Sequence, residues 1–342
     1  MARFFEAEIM NPYVEQIERG ITEYKFCSLN IARLEQYAEQ IAREKFIVPT
    51  WRGGCFPKAD DDIINYFGAV NAINFCFTDF STGKSFDVEY PDGSGQIWYG
   101  SMALAAAFTQ ALHEHRAPLN AEFLRTFSSQ TLKQVLRNYT TPIPMFSERY
   151  TLLRALGRDL IGVGVNSIKQ LFEKCNYWVI NYGEGILDYL SKFVSYSDTQ
   201  TLGEAQMPFL KRAQLLLLVY QGRALSSGGM LKILKDPMNI GPIADYRVPQ
   251  ALRALGILEY QTSLAEIVDS GNVIAKNDRM EIEIREQTVC AMKMLLDAVN
   301  WIRFRHSIPQ ITMLELDYKM WLCARRNKDR LLPHHRVYTA SY

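Results

Sequence analysis

The sequence predicts a mainly α-helical fold that carries one small three-stranded antiparallel β-meander near residues 72–99. Apolar residues recur at three- and four-residue spacing along most of the chain, and they alternate with period two only near residue 80. The 342 residues, of which 48% are hydrophobic, suffice to bury a sizeable core. Because no repeat or low-complexity linker interrupts the pattern, we expect a single compact domain over residues 1–342. At most, a weak subdomain boundary near 142–147 separates an N-terminal part with the meander from a helical C-terminal part.

Helices are predicted on both sides of the meander. Before it, one helix runs from Ile31 to Ile41 after Ser28, a candidate N-cap, and another begins at Ile63. The acidic run at 60–62 is read as an N-terminal cluster of that second helix. After the meander, helical spacing resumes at Ser101. Glycine and proline then separate helices at roughly 119–138, 147–161, 166–176, 183–194, 207–224, 249–257, 262–269, 279–305 and 311–325.

The meander is predicted from alternation and from turn residues. Ile73, Phe75 and Phe77 would share one face of the first strand. Glycine-containing segments then supply two hairpin turns. The strands and turns follow in the order 73–77, 81–84, 86–90, 92–95 and 96–99.

Composition excludes several classes of protein. Lys and Arg number 38 against 37 Asp and Glu, a net charge of +1, which lacks the surplus expected of a protein that grips a long phosphate backbone. Six cysteines show no C-x-x-C spacing, so neither a zinc site nor a disulfide framework is indicated. The chain begins with charges too early for a secretory signal, and its most apolar run, 215–220, is too short to cross a bilayer. We therefore expect a reduced, cytoplasmic, soluble protein that binds a small ligand.

Asp245 is the leading candidate for a catalytic group. It stands in the segment 243–250, just before a helix that has Pro249 in its first turn. The partial positive charge of a helix N-terminus favours the ionised carboxylate, which suits a group that opposes developing positive charge. The alternative is a helix-capping aspartate paired with Arg247.

Two further segments carry unusual polar groups. Lys211 and Arg212 begin an otherwise apolar helix, where they either snorkel from the core or clamp an anion such as a phosphate. Asp317 stands beside Tyr318 and one helical turn before Trp321. Aromatic rings stack on a guanine-like base while a carboxylate accepts from its N–H donors. The alternative is that Asp317 holds an arginine of a neighbouring helix. In the C-terminal tail, the histidines at 334 and 335 beside Arg336 either contact a phosphate or are exposed to solvent.

Five fragments occur together in an order and spacing that resemble the queuosine 5'-phosphate N-glycosylase family, the queuine-salvage hydrolases. The resemblance covers essentially the whole chain, and Asn74-Phe75 and the helix entry at 99–101 agree with it. The fragments are 209–214, 244–250, 278–285, 316–321 and 335–336.

The resemblance implies a specific reaction. Members of this family hydrolyse the N-glycosidic bond of queuosine 5'-monophosphate and release queuine, a 7-deazaguanine base that is inserted into tRNA. The family uses no metal or organic cofactor, and its fold looks like that of the helical DNA glycosylases. The expected partners are the nucleotide and the free base, without a stable nucleic-acid complex or a membrane.

The resemblance also assigns residues by motif position. Asp245 would be the catalytic carboxylate, as nucleophile or as stabiliser of an oxocarbenium-like transition state. Asp317, Tyr318, Ile243 and Trp321 would contact the base. For the phosphate or ribose we expect Lys211, and after it Arg247 or Arg279, since a 5'-phosphate needs a charge-assisted partner.

Queuine carries a protonated secondary amine, so a carboxylate is expected near the substituent of its ring. The candidates are the acidic run at 60–62 and Glu315. Arg212 is expected to be structural.

The chain departs from the family pattern at three positions. Arg52 follows Trp51 where relatives have a histidine, so backbone groups at 53–54 or Cys55 would have to replace that contact. Ile243 stands in place of a phenylalanine, and Leu322 in place of an acid. Base specificity is therefore less firmly implied than glycosidic cleavage.

A nucleic-acid-binding function is the main competitor. The segment 160–168 contains Gly162 and Gly164 and resembles a helix-hairpin-helix turn, whose backbone amides hold a DNA phosphate. That would indicate a DNA-repair-type glycosylase or a non-enzymatic nucleic-acid-binding protein. The simpler interpretation is a turn between two helices that needs two glycines. A purely structural helical adaptor is a third reading.

Overall fold

Fourteen α-helices make up about half of the described part of the chain, which in this computed structural model comprises residues 11–115, 119–327 and 330–342. The helices are α1 (Pro12–Glu18), α2 (Ile31–Ile41), α3 (Ile63–Ala72), α4 (Ser101–His113), α5 (Ala121–Thr126), α6 (Ser129–Val135), α7 (Phe146–Gly162), α8 (Ile168–Lys174), α9 (Ile186–Leu190), α10 (Lys211–Leu225), α11 (Arg247–Ala254), α12 (Thr262–Asp269), α13 (Arg279–Arg305) and α14 (Met313–Arg326). The prediction of a mainly helical fold is confirmed.

All strands in the described ranges are short and pair antiparallel in twos. They are β1 (Cys27–Leu29), β2 (Thr78–Asp79), β3 (Lys84–Ser85), β4 (Asp87–Glu89), β5 (Ile97–Tyr99), β6 (Thr199–Leu202), β7 (Ala205–Pro208) and β8 (Leu258–Tyr260). The pairs are β1 with β8, β2 with β3, β4 with β5, and β6 with β7.

The predicted three-stranded meander is therefore two separate hairpins. Both turns lie where glycines predicted them, but the first predicted strand, 73–77, is not a strand. Its backbone carbonyls at Ile73, Phe75 and Cys76 accept hydrogen bonds from the buried guanidinium of Arg149 instead of from a neighbouring strand. The alternation of apolar residues there reflects burial of a loop on both sides.

Most predicted helix positions are confirmed to within a few residues. The segment 119–138 divides into α5 and α6, because Phe127 is extended and Ser128 caps the second helix by accepting from the amide of Thr131 at 3.1 Å. The N-cap of α2 is Asn30 rather than Ser28, which lies in β1. The predicted helix at 207–224 begins only at Lys211, after β7.

Helix α10 lies at the centre of the molecule and is buried on nearly all sides. It packs against α3 on one side and α14 on the other. Helix α14 contributes Leu314 to the core around α3, α4, α7 and α10, and it contributes Leu316 and Met320 to the core around α2, α11 and α13. The two cores meet beside α14, and the candidate site lies at this junction.

A fully buried ion pair ties the centre together. Both oxygens of Asp198 accept from the guanidinium of Arg285, at 2.8 and 2.7 Å, and both side chains are 0% exposed. Burial by itself would raise the pKa of Asp198, but the charge of Arg285 outweighs it and the pKa lies below its ordinary value. The guanidinium also lies between the rings of Phe209 and Tyr342, at 4.1 and 4.7 Å from their centroids.

Three structural features bear on the predicted class of protein. No helix within residues 11–115, 119–327 and 330–342 is both long and apolar enough to span a bilayer. All six cysteines are free thiols. The described residues contain no group of three or more histidine, cysteine or acidic side chains arranged to hold a metal ion.

Removing one partner of the buried pair should destabilise the protein strongly. In Asp198→Asn, Arg285 keeps its charge without a counter-ion, which typically costs about 3–5 kcal/mol. Asp92→Asn is the matched control, because Asp92 pairs with Arg137 at side-chain exposures of 56% and 45%, and such pairs contribute about 0–1 kcal/mol. Urea titration measures the free energy of unfolding of each variant. Equal losses in the two variants would contradict a structural role for the buried pair.

Candidate active site

The site is a pocket between α3, α4, α10 and α14 that encloses about 830 Å³ of space, its open mouth included. Six of the predicted site residues line it. They are Lys211, Ile243, Asp245, Asp317, Tyr318 and Trp321.

Asp245 caps the helix that follows it. Its Oδ1 accepts from the backbone amides of Arg247 and Val248, at 2.7 and 3.0 Å, at the start of α11. Its Oδ2 accepts no hydrogen bond from the described residues, and the residue is 9% exposed. The capping interpretation is therefore confirmed, and because one oxygen stays available the catalytic interpretation stays a prediction.

Two other helices, α10 and α13, hold the segment of the chain that carries Asp245. Gln214 of α10 accepts from the amide of Gly241 at 2.8 Å, and a side chain at Gly241 would collide with it. Arg285 of α13 donates to the carbonyl of Ala244 at 3.2 Å. Asp245 is thus held from both sides as well as by α11.

Asp317 is a buried carboxyl group with an unsatisfied oxygen. It comes from α14, and its Oδ1 has no hydrogen-bond partner in the described part of the chain. Burial first, and the charge of Asp245 second, raise the pKa of Asp317 well above its ordinary value. No arginine of a neighbouring helix pairs with it among the described residues, which removes the structural alternative. An orphaned polar atom of this kind indicates a ligand that supplies the missing donor.

Aromatic rings form one wall of the pocket. Trp51 meets Tyr318 and Phe56 edge to face, each at 5.5 Å between centroids, and Tyr318 stacks with Trp321 at 6.0 Å. The indole Nε1 of Trp51 is buried without a partner, and the residue adopts a positive φ of 49°. Neither the glycines at 53–54 nor Cys55 lines the pocket, so the expected substitutes for the missing histidine are not there.

Lys211 reaches the pocket from the first position of α10. Its Nζ donates to the carbonyl of Asn74 at 2.9 Å, and its backbone amide donates to Asp198. Burial lowers the pKa of Lys211 to about 8, although the charge of Asp245 acts in the opposite direction. The ammonium group of Lys211 therefore lies close enough to the carboxyl groups of Asp245 and Asp317 to interact with both electrostatically.

The structure does not bring Arg247 and Arg279 into the pocket. The guanidinium of Arg247 donates to Gln250 at 3.0 Å, and that of Arg279 pairs with Glu283 at 2.7 Å. Only the backbone amide of Arg247 contacts Asp245. Both partners lie within four residues on the same helix, so helical spacing was a signal in the sequence that could have indicated these contacts.

The carboxylates expected beside the amine of the base also lie elsewhere. Asp60 pairs with Arg223 and Arg52, at 2.6 and 2.8 Å. Glu315 caps α14 by accepting from the amide of Thr312 at 3.0 Å. None of Asp60, Asp61, Asp62 and Glu315 lines the pocket.

The chain's last residues pack against the site instead of forming an exposed end or a phosphate contact. His334 packs on Tyr246 at 4.5 Å, and burial lowers the pKa of His335 to about 3, so its ring is neutral. His335 shares a hydrogen bond with the hydroxyl of Tyr342, whose ring lines the pocket. The carbonyl of Tyr342 accepts from the amide of Cys76. Sequence reasoning missed Tyr342, because no periodicity or motif marks a residue that is placed by such distant contacts.

The glycine turn at 160–168 is an ordinary connection between α7 and α8. The amides of Val163, Gly164 and Val165 all donate to carbonyls in the last turn of α7. They are consequently not free to hold a DNA phosphate, and the helix-hairpin-helix interpretation loses its physical basis.

Comparisons with known proteins agree with the resemblance. A family model described as "Queuosine salvage protein" matches residues 55–342. A protein of Dictyostelium discoideum named queuosine 5'-phosphate N-glycosylase/hydrolase is 29% identical over 308 residues, which cover 85% of each chain. Relatives of the same name from Mus musculus and Sphaerobacter thermophilus are 26% identical over 284 and 309 residues, and these cover 82% and 90% of each chain.

Replacing Asp317 should stabilise the empty protein in a pH-dependent way. The pKa of its carboxyl group is raised in the folded state, so above about pH 4 unfolding releases a proton and stability falls as pH rises. Asp317→Asn removes this dependence. We expect the free energy of unfolding of Asp317→Asn minus that of wild type to be larger at about pH 7 than at about pH 5.

Urea titrations at the two pH values measure this difference. Asp92→Asn, at an exposed position, should show the same difference from wild type at both. A constant difference for Asp317→Asn as well would mean that the buried carboxyl group is ionised in the folded protein.

Proposed function

Because the chain belongs to the queuosine salvage protein family, we propose that it is a hydrolase that cleaves the N-glycosidic bond of queuosine 5'-monophosphate. Water adds to C1' of the ribose, and the base queuine leaves with a proton. The base then becomes available for salvage into tRNA modification. The named relatives, which match 82–90% of the chain, support this reaction.

The carboxylate of Asp245 is the observation that carries the proposal. It has one oxygen fixed by two amides and the other free, at the edge of a largely apolar pocket. Loss of the base develops positive charge at C1' and O4' of the ribose. A fixed carboxylate beneath the sugar opposes this charge more strongly in the transition state than in the bound substrate. Asp245 acts as nucleophile or as electrostatic stabiliser, as carboxylates do in glycosidases.

Asp317 and the aromatic wall form the proposed base site. The N1–H and amino donors of a deazaguanine would give Asp317 Oδ1 the partner it lacks in the empty pocket. They would also favour its ionised form, against the burial that raises its pKa. Tyr318 and Trp321 supply stacking surface, and Ile243 supplies an apolar contact where a ring is absent.

Lys211 is the group that we retain on the ribose and phosphate side. It is the only cationic side chain among the described residues that line the pocket, since Arg247 and Arg279 lie outside. The proposal includes a fold like that of the helical DNA glycosylases, which is consistent with the helical architecture and with a catalytic aspartate at a helix N-terminus.

Base release tests the reaction directly. Purified protein is incubated with queuosine 5'-monophosphate, with GMP and with the queuosine nucleoside, and free base is measured by mass spectrometry. We expect queuine from the first substrate and no guanine from GMP. Absence of queuine would reject the proposed function.

Asp245→Asn should abolish base release while the fold survives. Asparagine caps helices as well as aspartate does, so α11 keeps its cap and only the charge is lost. Loss of such a preorganised group raises the barrier by about 2.7–4 kcal/mol, or more for a nucleophile. Retention of more than about a tenth of the wild-type rate, which corresponds to ~1.4 kcal/mol, contradicts the role.

Asp278→Asn provides the matched control. Asp278 caps α13 by accepting from the amide of Met280 at 2.8 Å, and it does not line the pocket. The same change of charge at a helix cap should therefore leave base release near the wild-type rate.

A further inference from the structure

Residues 334–342 form a strap that is fixed to the rest of the protein near both of its ends. Near its start, the guanidinium of Arg336 donates to the carbonyl of Gly271 at 3.0 Å. At its end, the carbonyl of Tyr342 accepts from the amide of Cys76 at 3.0 Å. The strap therefore connects the loop after α12 with the loop before β2.

The strap also holds the chain on both sides of Asp245. After Asp245 comes Tyr246, and the ring of His334 packs on its ring with 4.5 Å between centroids. Before Asp245 comes a backbone carbonyl that accepts from the guanidinium of Arg285 at 3.2 Å. The ring of Tyr342 lies against that guanidinium, 4.7 Å from its centre. The strap thus holds one neighbour of Asp245 directly and the other through Arg285.

The guanidinium of Arg285 depends on its stacked rings for its orientation. It donates four hydrogen bonds to described residues, and the one to Ala244 is the longest, at 3.2 Å against 2.7–3.0 Å for the others. The rings of Phe209 and Tyr342 lie 4.1 and 4.7 Å from its centre. Because the N–H donors of a guanidinium lie in one plane, a ring stacked on that plane fixes their directions. Loss of a ring would weaken the longest bond first, and that bond holds the chain at Asp245.

The side chain of Tyr342 is itself immobilised. Its hydroxyl shares a hydrogen bond with the Nε2 atom of His335 at 3.1 Å, and the two residues are 3% and 2% exposed. Its backbone carbonyl is fixed by Cys76. The ring is therefore held at both ends, and it can support the guanidinium as a rigid surface.

We propose that Tyr342 is a positioning residue for the reaction, which holds the carboxylate of Asp245 in place by supporting the guanidinium of Arg285. The inference rests on the proposed function and adds to it a residue that no sequence motif marked. A displacement of about 1 Å in a catalytic geometry can lower a rate about 100-fold. Since Tyr342 acts on the position of Asp245, the effect belongs to the chemical step. The ring also lines the pocket, so a direct contact with the substrate is the alternative.

Tyr342→Leu and Tyr342→Phe test the role of the ring. We expect Tyr342→Leu to lower kcat for queuosine 5'-monophosphate by a factor of about ten to 100, with KM little changed. Tyr342→Phe keeps the ring and should retain most of the wild-type kcat. If Tyr342→Leu does not fold, Tyr342→Phe decides. A loss of more than about tenfold in its kcat, which corresponds to ~1.4 kcal/mol, overturns the inference, because the ring would still be present.

Phe209→Leu separates positioning from direct contact with the substrate. Phe209 lies on the same guanidinium as Tyr342, but it does not line the pocket. If both rings act through Arg285, Phe209→Leu also lowers kcat, and the double variant loses less than the product of the two single losses. An unchanged kcat in Phe209→Leu, or losses that multiply, would mean that Tyr342 acts independently of Arg285, and the inference is then overturned.

Tyr338→Leu is the matched control within the strap. Tyr338 packs on Phe80 at 4.7 Å and does not line the pocket, so kcat and KM should stay at their wild-type values. A loss equal to that of Tyr342→Leu would indicate a general effect of the strap on folding and would contradict a specific role of Tyr342.

A measurement without substrate keeps the two proposals distinguishable. NMR follows the exchange with solvent of the Nε proton that Arg285 donates to Ala244. We expect faster exchange in Tyr342→Leu than in wild type and in Tyr338→Leu. Unchanged exchange overturns the inference even if wild type releases queuine. If wild type releases no queuine while exchange is faster in Tyr342→Leu, the proposed function fails and the support of Arg285 by Tyr342 stands.

Discussion

The buried pair of Asp198 and Arg285 is the interaction on which the geometry of the site depends. Asp198 accepts from the backbone amide of Lys211 as well as from Arg285, and Arg285 donates to the carbonyl of Ala244, the residue before Asp245. One ion pair therefore positions both the cation and the carboxylate of the pocket. Because such a pair gains stability only when its geometry is well satisfied, any movement of one group shifts the other. Neither charge of the pair can be left without a partner at low cost. This requirement thus keeps Lys211 and Asp245 in fixed positions relative to each other.

Two other buried arginines hold the chain near the pocket in a similar way, by hydrogen bonds from their guanidinium groups. Arg212 donates to the carbonyls of Ala72 and Ser197, and Arg223 donates to those of Trp51 and Pro57. Ala72 is the last residue of α3, and the other three carbonyls belong to irregular segments, so all four would otherwise be buried without a donor. A guanidinium group carries five donors in a rigid plane, so it can hold several such segments at once. These hydrogen bonds therefore tie irregular segments of the chain, including the one that carries Trp51, to α10.

Local patterns predicted those parts of the structure that local physics determines. Helical spacing located the helices, and the cap position of Asp245 followed from the proline-containing turn. The carboxylate of Asp245 could be found because motif and helix start coincided. The place of Tyr342 in the pocket wall could not, since it depends on contacts with distant segments. The first predicted strand of the meander failed for the same reason, because its carbonyls are satisfied by a side chain that lies far along the sequence.

The carboxyl groups of Asp245 and Asp317 have the same chemistry but different surroundings. The difference in surroundings separates the roles proposed for them. Oδ1 of Asp245 accepts hydrogen bonds from two backbone amides at a helix N-terminus. Asp317 has no such donor on Oδ1, and burial together with the charge of Asp245 raises its pKa. In the empty pocket, the charge of Asp245 thus disfavours the ionised form of Asp317, because two adjacent negative charges repel each other. In the proposed complex, a base with paired N–H donors would favour the ionised form of Asp317, so recognition of the base would be coupled to the charge of Asp317.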